Sequence, residues 1–84
     1  MKMQNANANK IRADKVLDAF GLLCPIPVLK TAQMVKTLQP GTVLEVISSD
    51  TAIETDLRNW CKSHRHQYLG CRRQGRAYHV FLKV

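Results

Sequence analysis

The stretch Gly21-Leu22-Leu23-Cys24-Pro25-Ile26-Pro27 restricts the fold of this chain more than any other part of it. The preceding segment, Lys15–Asp18, is apolar enough for a strand in a sheet interior, and the glycine lets the backbone turn freely. Pro25 suits the first position of a helix, because its missing N–H would have no intrahelical partner there. Pro27 falls within the same first turn, whose amides are also unpaired. The stretch therefore predicts a strand, a turn and a helix that opens beside the cysteine.

The middle of the chain predicts a second strand and a second helix. The first helix is expected to end near Gln39, because Pro40-Gly41 follows it. The β-branched residues of Thr42–Ser48 predict a strand, which a right-handed crossover would pair parallel to the first one. Thr51 and Glu54 have the spacing of a capping box at the start of the second helix.

The second half of the chain predicts the rest of one two-layer domain. Ile53, Leu57, Trp60, Cys61 and His64 repeat at helical spacing, so Trp60 and Cys61 are interpreted as core residues. Residues 67–74 and 77–84 predict two antiparallel strands around a glycine turn. The order β-α-β-α-β-β predicts an α+β fold, a two-layer α/β sandwich with two helices on one face of a mixed four-stranded sheet.

Length and cysteine usage limit the class of protein. The 84 residues, 45% of them hydrophobic, suffice for one compact domain and not for two. Residues 1–12 are polar and Asn-rich without an apolar signal segment, so they are predicted to form a disordered tail before a single domain at 13–84. No stretch is long and apolar enough to cross a membrane. The three cysteines lack paired spacing, which predicts reduced thiols in the cytoplasm and no metal site.

The charge of the chain is unevenly distributed. The formal net charge is +7, yet residues 1–56 hold equal numbers of acidic and basic side chains. All of the excess lies in residues 57–84, which contain no acid. Such a patch can guide an acidic protein or a phosphate backbone towards the molecule, although scattered charges often form only a solvated face. The arginines considered as a docking surface are Arg58, Arg72, Arg73 and Arg76.

The candidate reactive residue is Cys24. Its place at or just before the positive end of a helix dipole favours the thiolate, the form that attacks. The neighbouring prolines remove amides, and only the amides of Cys24 and Ile26 would remain unpaired, so we expect a modest depression of the thiol pKa. The alternative from position alone is a small buried structural cysteine beside a proline turn.

The pattern Asp18-x-x-Gly21-Leu22-x-Cys24-Pro25-x-Pro27, with Lys30 three residues further on, resembles the signature of the TusA/SirA-like sulfur-carrier family. The resemblance extends from Lys15 to the C-terminus, and 56–61 and His66 also match. Thr51 replaces a usual proline, Arg65 a frequent glycine, and Ile26 a polar residue of the thiouridine branch. The resemblance implies that Cys24 carries a persulfide sulfur from a donor enzyme, of desulfurase or rhodanese type, to an acceptor thiol. No prosthetic group is implied for this sulfurtransferase-type carrier.

The residues expected to support Cys24 are Asp18, Gly21, Pro25 and Pro27. Asp18 is predicted to bind backbone amides near Gly21 rather than to act as a base, because a carboxylate close to the sulfur would raise the thiol pKa.

Two other functions remain open from the sequence. The chain could be a non-catalytic regulatory or protein-interaction module with a basic docking face. It could also be a small RNA-binding domain that uses Arg72, Arg73 and Arg76. The absence of an aromatic ladder and of a Gly-x-x-Gly loop argues against direct nucleic-acid binding. Nothing in the sequence indicates an oligomeric state or names the pathway.

Overall fold

The computed structural model describes residues 11–84, so all but the last two residues of the predicted tail at 1–12 lie outside the described part of the chain. The elements follow the predicted order: β1 (Lys15–Ala19), α1 (Ile26–Val35), β2 (Val43–Ser48), α2 (Ile53–His64), β3 (Gln67–Gln74) and β4 (Ala77–Lys83). The predicted α+β class is confirmed. Neither helix between residues 11 and 84 has the length and apolar character needed to cross a membrane.

The four strands form one mixed sheet in the order β1-β2-β4-β3. β1 pairs parallel to β2, with Leu17 opposite Val46, and β4 runs antiparallel to both β2 and β3. Because β1 and β2 are parallel, the loops that follow them leave the sheet at the same edge. This edge brings the β1–α1 loop, which contains Cys24, next to the β2–α2 loop.

The core lies between the sheet and the two helices. Side chains alternate along a strand, so one face of the central strands can be wholly apolar. The buried cluster takes two residues from β2, two from β4 and four from the helices: Leu44, Val46, Val80, Leu82, Val35, Ile53, Leu57 and Cys61. Burying a side chain such as Leu57 contributes about 1.5–3 kcal/mol. The core therefore fixes the orientation of α2, and with it the side chains that α2 presents at the loop edge.

The end of α1 differs from the prediction. The helix ends at Val35 and not near Gln39. The Thr37 amide donates to the Met34 carbonyl (2.9 Å) and the Leu38 amide to the Val35 carbonyl (3.1 Å). Such bonds over three residues tighten the chain and satisfy the last carbonyls of the helix before any proline is reached. The Pro40-Gly41 pair therefore lies in a separate turn beyond the helix.

The predicted capping box of α2 is not formed. The residue before the helix is Ala52, which makes no side-chain cap, and Thr51 is exposed. Asp50 Oδ1 instead accepts a hydrogen bond from the Ala52 amide (3.0 Å). Asp commonly binds an amide two residues further on in this way, and it replaces the expected threonine. Glu54, the other half of the predicted box, binds Arg58.

The last strand is more buried than its alternating pattern predicts. Val80, Phe81 and Leu82 are all buried, although Phe81 points to the face opposite Leu82. β4 is a central strand, so neighbours on β2 and β3 flank Phe81 on both sides. Cys61 is buried in the core as predicted, whereas Trp60 is only partly buried and packs at its margin.

Candidate functional site

Cys24 lies in the β1–α1 loop with its side chain exposed. The Ile26 amide donates to the Leu23 carbonyl (2.9 Å), which closes a tight turn that contains a cis Cys24–Pro25 peptide bond. Pro25 is thus the residue before α1 and not its first position, and Pro27 is the second helical residue. Because its amide is used in the turn, Ile26 does not offer the free donor predicted beside the sulfur.

The supporting residues hold this loop from both sides. Asp18 Oδ1 accepts a hydrogen bond from the Phe20 amide, one residue before Gly21 (3.0 Å). Gly21 has φ +88°, a conformation that L side chains rarely adopt, although a Cβ would meet no atom within 4 Å. Its amide donates to Ser49 Oγ (3.0 Å), which ties the loop to the one that follows β2. Pro27 is buried, and its carbonyl accepts a hydrogen bond from the Thr31 hydroxyl (2.8 Å).

The sulfur of Cys24 contacts the carboxylate of Asp56, which is not among the predicted site residues. The thiol donates a hydrogen bond to Asp56 Oδ2, with the two atoms 3.6 Å apart. Asp56 lies in the first turn of α2, whose orientation the buried Ile53 and Leu57 determine. The fold therefore brings together two residues that are 32 positions apart in the chain.

Asp50 completes a small acidic cluster at the sulfur. One potential ligand atom from each of Cys24, Asp50 and Asp56 lies within 4.8 Å of the others. Asp50 Oδ2 is buried and accepts no hydrogen bond from any residue of the described chain. A thiol and two carboxylates could contact a divalent cation, but exposed acidic groups commonly lie together without one, and we assign no ion here. We call Asp50 and Asp56 the carboxylate pair.

The expected depression of the Cys24 pKa is wrong in sign. Loss of water around the sulfur, the hydrogen bond to Asp56, and the negative charges of Asp56 and Asp50 all raise the pKa of this thiol. Each effect favours the neutral form. The helix dipole does not prevail, because the amide of Ile26 is already bonded to Leu23 and the carboxylates lie in direct reach of the sulfur.

A cleft of about 330 Å³ opens beside the sulfur. Its lining comes from the start of α1 and one face of α2: Cys24, Pro25, Val28, Asp56, Asn59, Trp60, Ser63 and His64. The Trp60 ring stacks on His64 (centroids 4.8 Å apart) and on His66 (5.0 Å). Trp60 is thus a wall of the cleft as well as a margin of the core. A second sulfur atom on Cys24, about 2 Å from the first, has open space on this side.

The β1–α1 loop and the first turn of α1 expose four large apolar side chains. Leu23 is 74% exposed, Leu29 52%, Phe20 50% and Ile26 40%. Single exposed apolar residues are ordinary, but several around one reactive side chain are typical of a surface that a partner covers. We call these four residues the apolar rim.

The four arginines considered for docking are not equivalent. Arg58 pairs with Glu54 (2.9 Å), and Arg72 lies 4.0 Å from Glu45 and binds Gln74. Arg73 lies over the Tyr78 ring and also binds the Gly75 carbonyl, so it makes no ion pair within residues 11–84. Arg73 and Arg76 line a second cleft of about 350 Å³ together with the rim residue Phe20. These two arginines are the ones that adjoin the cysteine loop.

The acidic cluster had a signal in the sequence that could have revealed it. Parallel strands place their following loops at one edge, so the predicted crossover already implies that the Ser49-Asp50 turn neighbours the cysteine loop. Asp56 also belongs to the second stretch that resembles the family. What the sequence could not supply is the rotation of α2 that points Asp56, rather than Glu54 or Arg58, at the sulfur.

Comparisons with known proteins support one family. The model of the family described as Sulfurtransferase TusA matches residues 15–84. The chain is 42% identical over 73 residues to "Putative sulfur carrier protein YrkF" of Bacillus subtilis, covering 87% of this chain and 40% of that protein. It is also 42% identical over 59 residues to "Putative sulfur carrier protein YrkI" of the same organism, covering 70% and 79% of the two chains.

A solved structure supports the fold. The crystal structure of a SirA-like protein from Desulfitobacterium hafniense superposes with a TM-score of 0.74 at 21% identity, over 83% of this chain and 96% of that one. The chain spans less than half the length of YrkF, so what YrkF does as a whole does not transfer directly. The resemblance inferred from the motif around Cys24 is confirmed. Since the family model matches most of the chain, the protein belongs to the TusA sulfurtransferase family.

Proposed function

We propose that this protein is a sulfur carrier, which receives a sulfane sulfur on Cys24 and passes it to an acceptor thiol. The observation that carries the proposal is an exposed cysteine, in the family motif, at the rim of an open cleft. The family match and the names of the two Bacillus relatives favour this role over that of an interaction module without chemistry.

The reaction is two successive thiol exchanges at one sulfur atom. The Cys24 thiolate attacks the terminal sulfur of a donor persulfide R–S–SH; the new S–S bond forms as the old one breaks, and R–S⁻ leaves. The product is Cys24–S–SH. An acceptor thiolate then attacks the terminal sulfur, takes it as its own persulfide, and releases the Cys24 thiolate. Each exchange breaks one S–S bond and forms another, so neither exchange requires an oxidant or a reductant.

The other two cysteines do not compete for this role. Cys61 is buried in the core, and loss of water raises its pKa to about 11. Cys71 lies on β3 with its pKa also raised to about 11, chiefly by burial. A thiol must ionise and be reached in order to attack. Among the three free cysteines, Cys24 alone is exposed.

The partners are a sulfur-donor enzyme, by family analogy a cysteine desulfurase or a rhodanese-type sulfurtransferase, and an acceptor protein. Both must bring a sulfur atom to Cys24, and both would cover the apolar rim. Arg73 and Arg76 adjoin the rim and would meet acidic side chains of a partner. The three free thiols fit a reducing location such as the cytoplasm.

Loading with sulfur tests the proposal. The protein is incubated with a cysteine desulfurase and cysteine, and its intact mass is measured with and without a reductant. We expect a reducible gain of one sulfur in the wild type and in Cys71→Ser, and none in Cys24→Ser. An equal gain in Cys24→Ser would contradict the proposal. No gain with a desulfurase or with a rhodanese-type donor would favour an interaction module instead.

A further inference from the structure

The local charge at Cys24 opposes the charge of the whole molecule. The chain carries a formal net charge of +7. The charged groups that act on the sulfur, however, are Asp56 and Asp50. At physiological ionic strength, charges act over about 8 Å. The carboxylate pair, with atoms within 4.8 Å of the sulfur, lies inside this range, and no arginine is among the groups that shift the Cys24 pKa.

The carboxylate pair is held in place. Asp56 projects from a helix whose buried residues fix its rotation. Asp50 Oδ1 is bound to the Ala52 amide, and the Asp50 amide donates to Ser48 Oγ (3.0 Å). Asp50 Oδ2 is left buried without a hydrogen-bond donor from residues 11–84, so its charge is poorly compensated by the protein. Asp50 cannot turn away from the sulfur without breaking its hydrogen bond to the Ala52 amide, and Asp56 is held towards the sulfur by the hydrogen bond from the thiol.

No cation in the cleft offsets these charges. Among the side chains that line the cleft, the titratable groups are Cys24, Asp56 and His64, and only His64 can become positive. His64 is exposed, and its Nδ1 lies 3.0 Å from the Trp60 carbonyl at the opposite end of α2 from Asp56. A small anion that approaches the sulfur through the cleft must therefore pass close to negative charge.

We propose, on the basis of the function proposed above, that Asp56 and Asp50 make Cys24 selective against small anionic donors of sulfane sulfur, such as thiosulfate and inorganic polysulfide. Its substrate is then a persulfide presented by a docked protein. A protein donor can deliver the sulfur on a neutral or cation-flanked loop and cover the apolar rim as it does so. A free anion brings neither positive charge nor apolar contacts to offset its repulsion by the two carboxylates. The carboxylate pair thus determines the class of donor, and the cysteine performs the exchange.

The charge of the attacked reagent tests this selectivity directly. Two methanethiosulfonates are compared, a cationic trimethylammonioethyl and an anionic sulfonatoethyl reagent; each gives Cys24–S–S–R and releases methanesulfinate. The rates are measured by intact mass, with Cys24→Ser as the blank. The ratio of the two rates does not depend on the ionised fraction of the thiol, because that fraction multiplies both. It reports the electrostatic potential at the sulfur.

We expect the cation-to-anion ratio of the wild type to exceed that of mercaptoethanol, a neutral thiol. Asp56→Asn should lower the ratio about fivefold, because the lost charge acts with opposite sign on the two reagents and lies about 8 Å from their charged groups in water. Asp50→Asn should lower the ratio further. Glu54→Gln is the matched control, since it removes a charge from another face of the same helix. Raising the salt concentration should reduce the ratio of the wild type towards that of mercaptoethanol.

An unchanged ratio in Asp56→Asn would overturn the proposal, as would a wild-type preference for the anionic reagent. Asn has the shape of Asp, so we expect the variant to fold. A melting temperature close to that of the wild type verifies this. The outcome is independent of sulfur loading. A protein that fails to accept sulfur from any donor could still show the ratio, and a working carrier could lack it, so the two proposals can fail separately.

Discussion

Cys24 combines exposure with a neighbourhood that keeps it protonated. Its thiol donates to Asp56, and two carboxylates lie within reach of the sulfur. The thiolate is the attacking form, so these contacts, which raise the pKa of the Cys24 thiol, disfavour the reactive form. A thiol of raised pKa is, in return, a strong nucleophile once it is ionised. Positive charge brought to the sulfur by a docked protein would lower the thiol pKa and favour the reactive form.

The first prediction concerns this protonation state. Asp56→Asn removes a negative charge beside the sulfur and replaces the charged acceptor of the thiol hydrogen bond with a neutral amide, so it weakens two of the causes that raise the Cys24 pKa. We expect the pH dependence of Cys24 alkylation by iodoacetamide to move to lower pH, so that the reaction at neutral pH becomes faster. A variant curve that coincides with the wild-type curve, or lies at higher pH, would show that Asp56 does not control the thiol.

At the scale of the elements, the sequence predicts the type and order of the helices and strands well. It predicts the residues at which they begin and end less well. β2 is clear from its run of β-branched residues, and the burial of Leu44, Val46 and Ser48 follows its alternation. The end of α1 was misplaced because backbone bonds at Thr37 and Leu38 close the helix before Pro40. Near the end of a helix, an amide can bond to the carbonyl three residues earlier instead of four. Which of the two it chooses leaves little trace in composition or periodicity.

The start of α2 gives the second prediction. Asp50, and not Thr51, binds the free amide at this end. We expect Asp50→Ala to lower the free energy of unfolding by about 1 kcal/mol, as the loss of an amide cap does. Thr51→Ala should change it by less than about 0.5 kcal/mol, because the side chain is exposed and makes no cap. Urea denaturation of the two variants measures the difference. A larger loss of unfolding free energy in Thr51→Ala than in Asp50→Ala would show that Thr51, and not Asp50, caps the helix.

For the whole molecule, the site is a consequence of topology. The parallel pair β1–β2 places the cysteine loop and the Asp50 turn at one edge, and the helix that follows the turn delivers Asp56. The cysteine and its motif were recognisable in the sequence. The contact of Cys24 with Asp56 was not, because it depends on how Ile53, Leu57 and Cys61 seat α2 on the sheet.

The third prediction concerns stability at alkaline pH. Burial raises the pKa of Cys61 and of Cys71 from 9.0 to about 11. Above pH 9 the unfolded chain loses these protons while the folded chain retains them, so the unfolded state binds fewer protons and stability falls as pH rises. We expect the urea midpoint to decrease between about pH 9 and pH 11. Cys71→Ala should reduce this decrease of the urea midpoint. A midpoint that is constant from pH 9 to pH 11 would contradict the raised pKa values of the two thiols.

The fourth prediction distinguishes the arginines on the molecular surface. Arg73 and Arg76 adjoin the apolar rim, whereas Arg58 and Arg72 are paired with Glu54 and Glu45. We expect Arg73→Gln combined with Arg76→Gln to slow sulfur transfer from a donor enzyme several-fold, with a weaker dependence on salt. The matched double variant Arg58→Gln, Arg72→Gln should transfer at nearly the wild-type rate. Equal losses in both variants would mean that the whole basic half contributes only general attraction.

The role of sulfur carrier requires that one sulfur atom resides on Cys24 and then leaves from it. The protein is loaded from a desulfurase supplied with cysteine that carries a heavy sulfur isotope, freed of donor, and then mixed with an excess of an acceptor thiol. Peptide mass spectra locate the label before and after mixing. We predict the heavy sulfur on the peptide of Cys24 at the start and in the acceptor persulfide at the end. Label on Cys61 or Cys71, or label that remains on Cys24 in the presence of acceptor, would contradict the role of carrier.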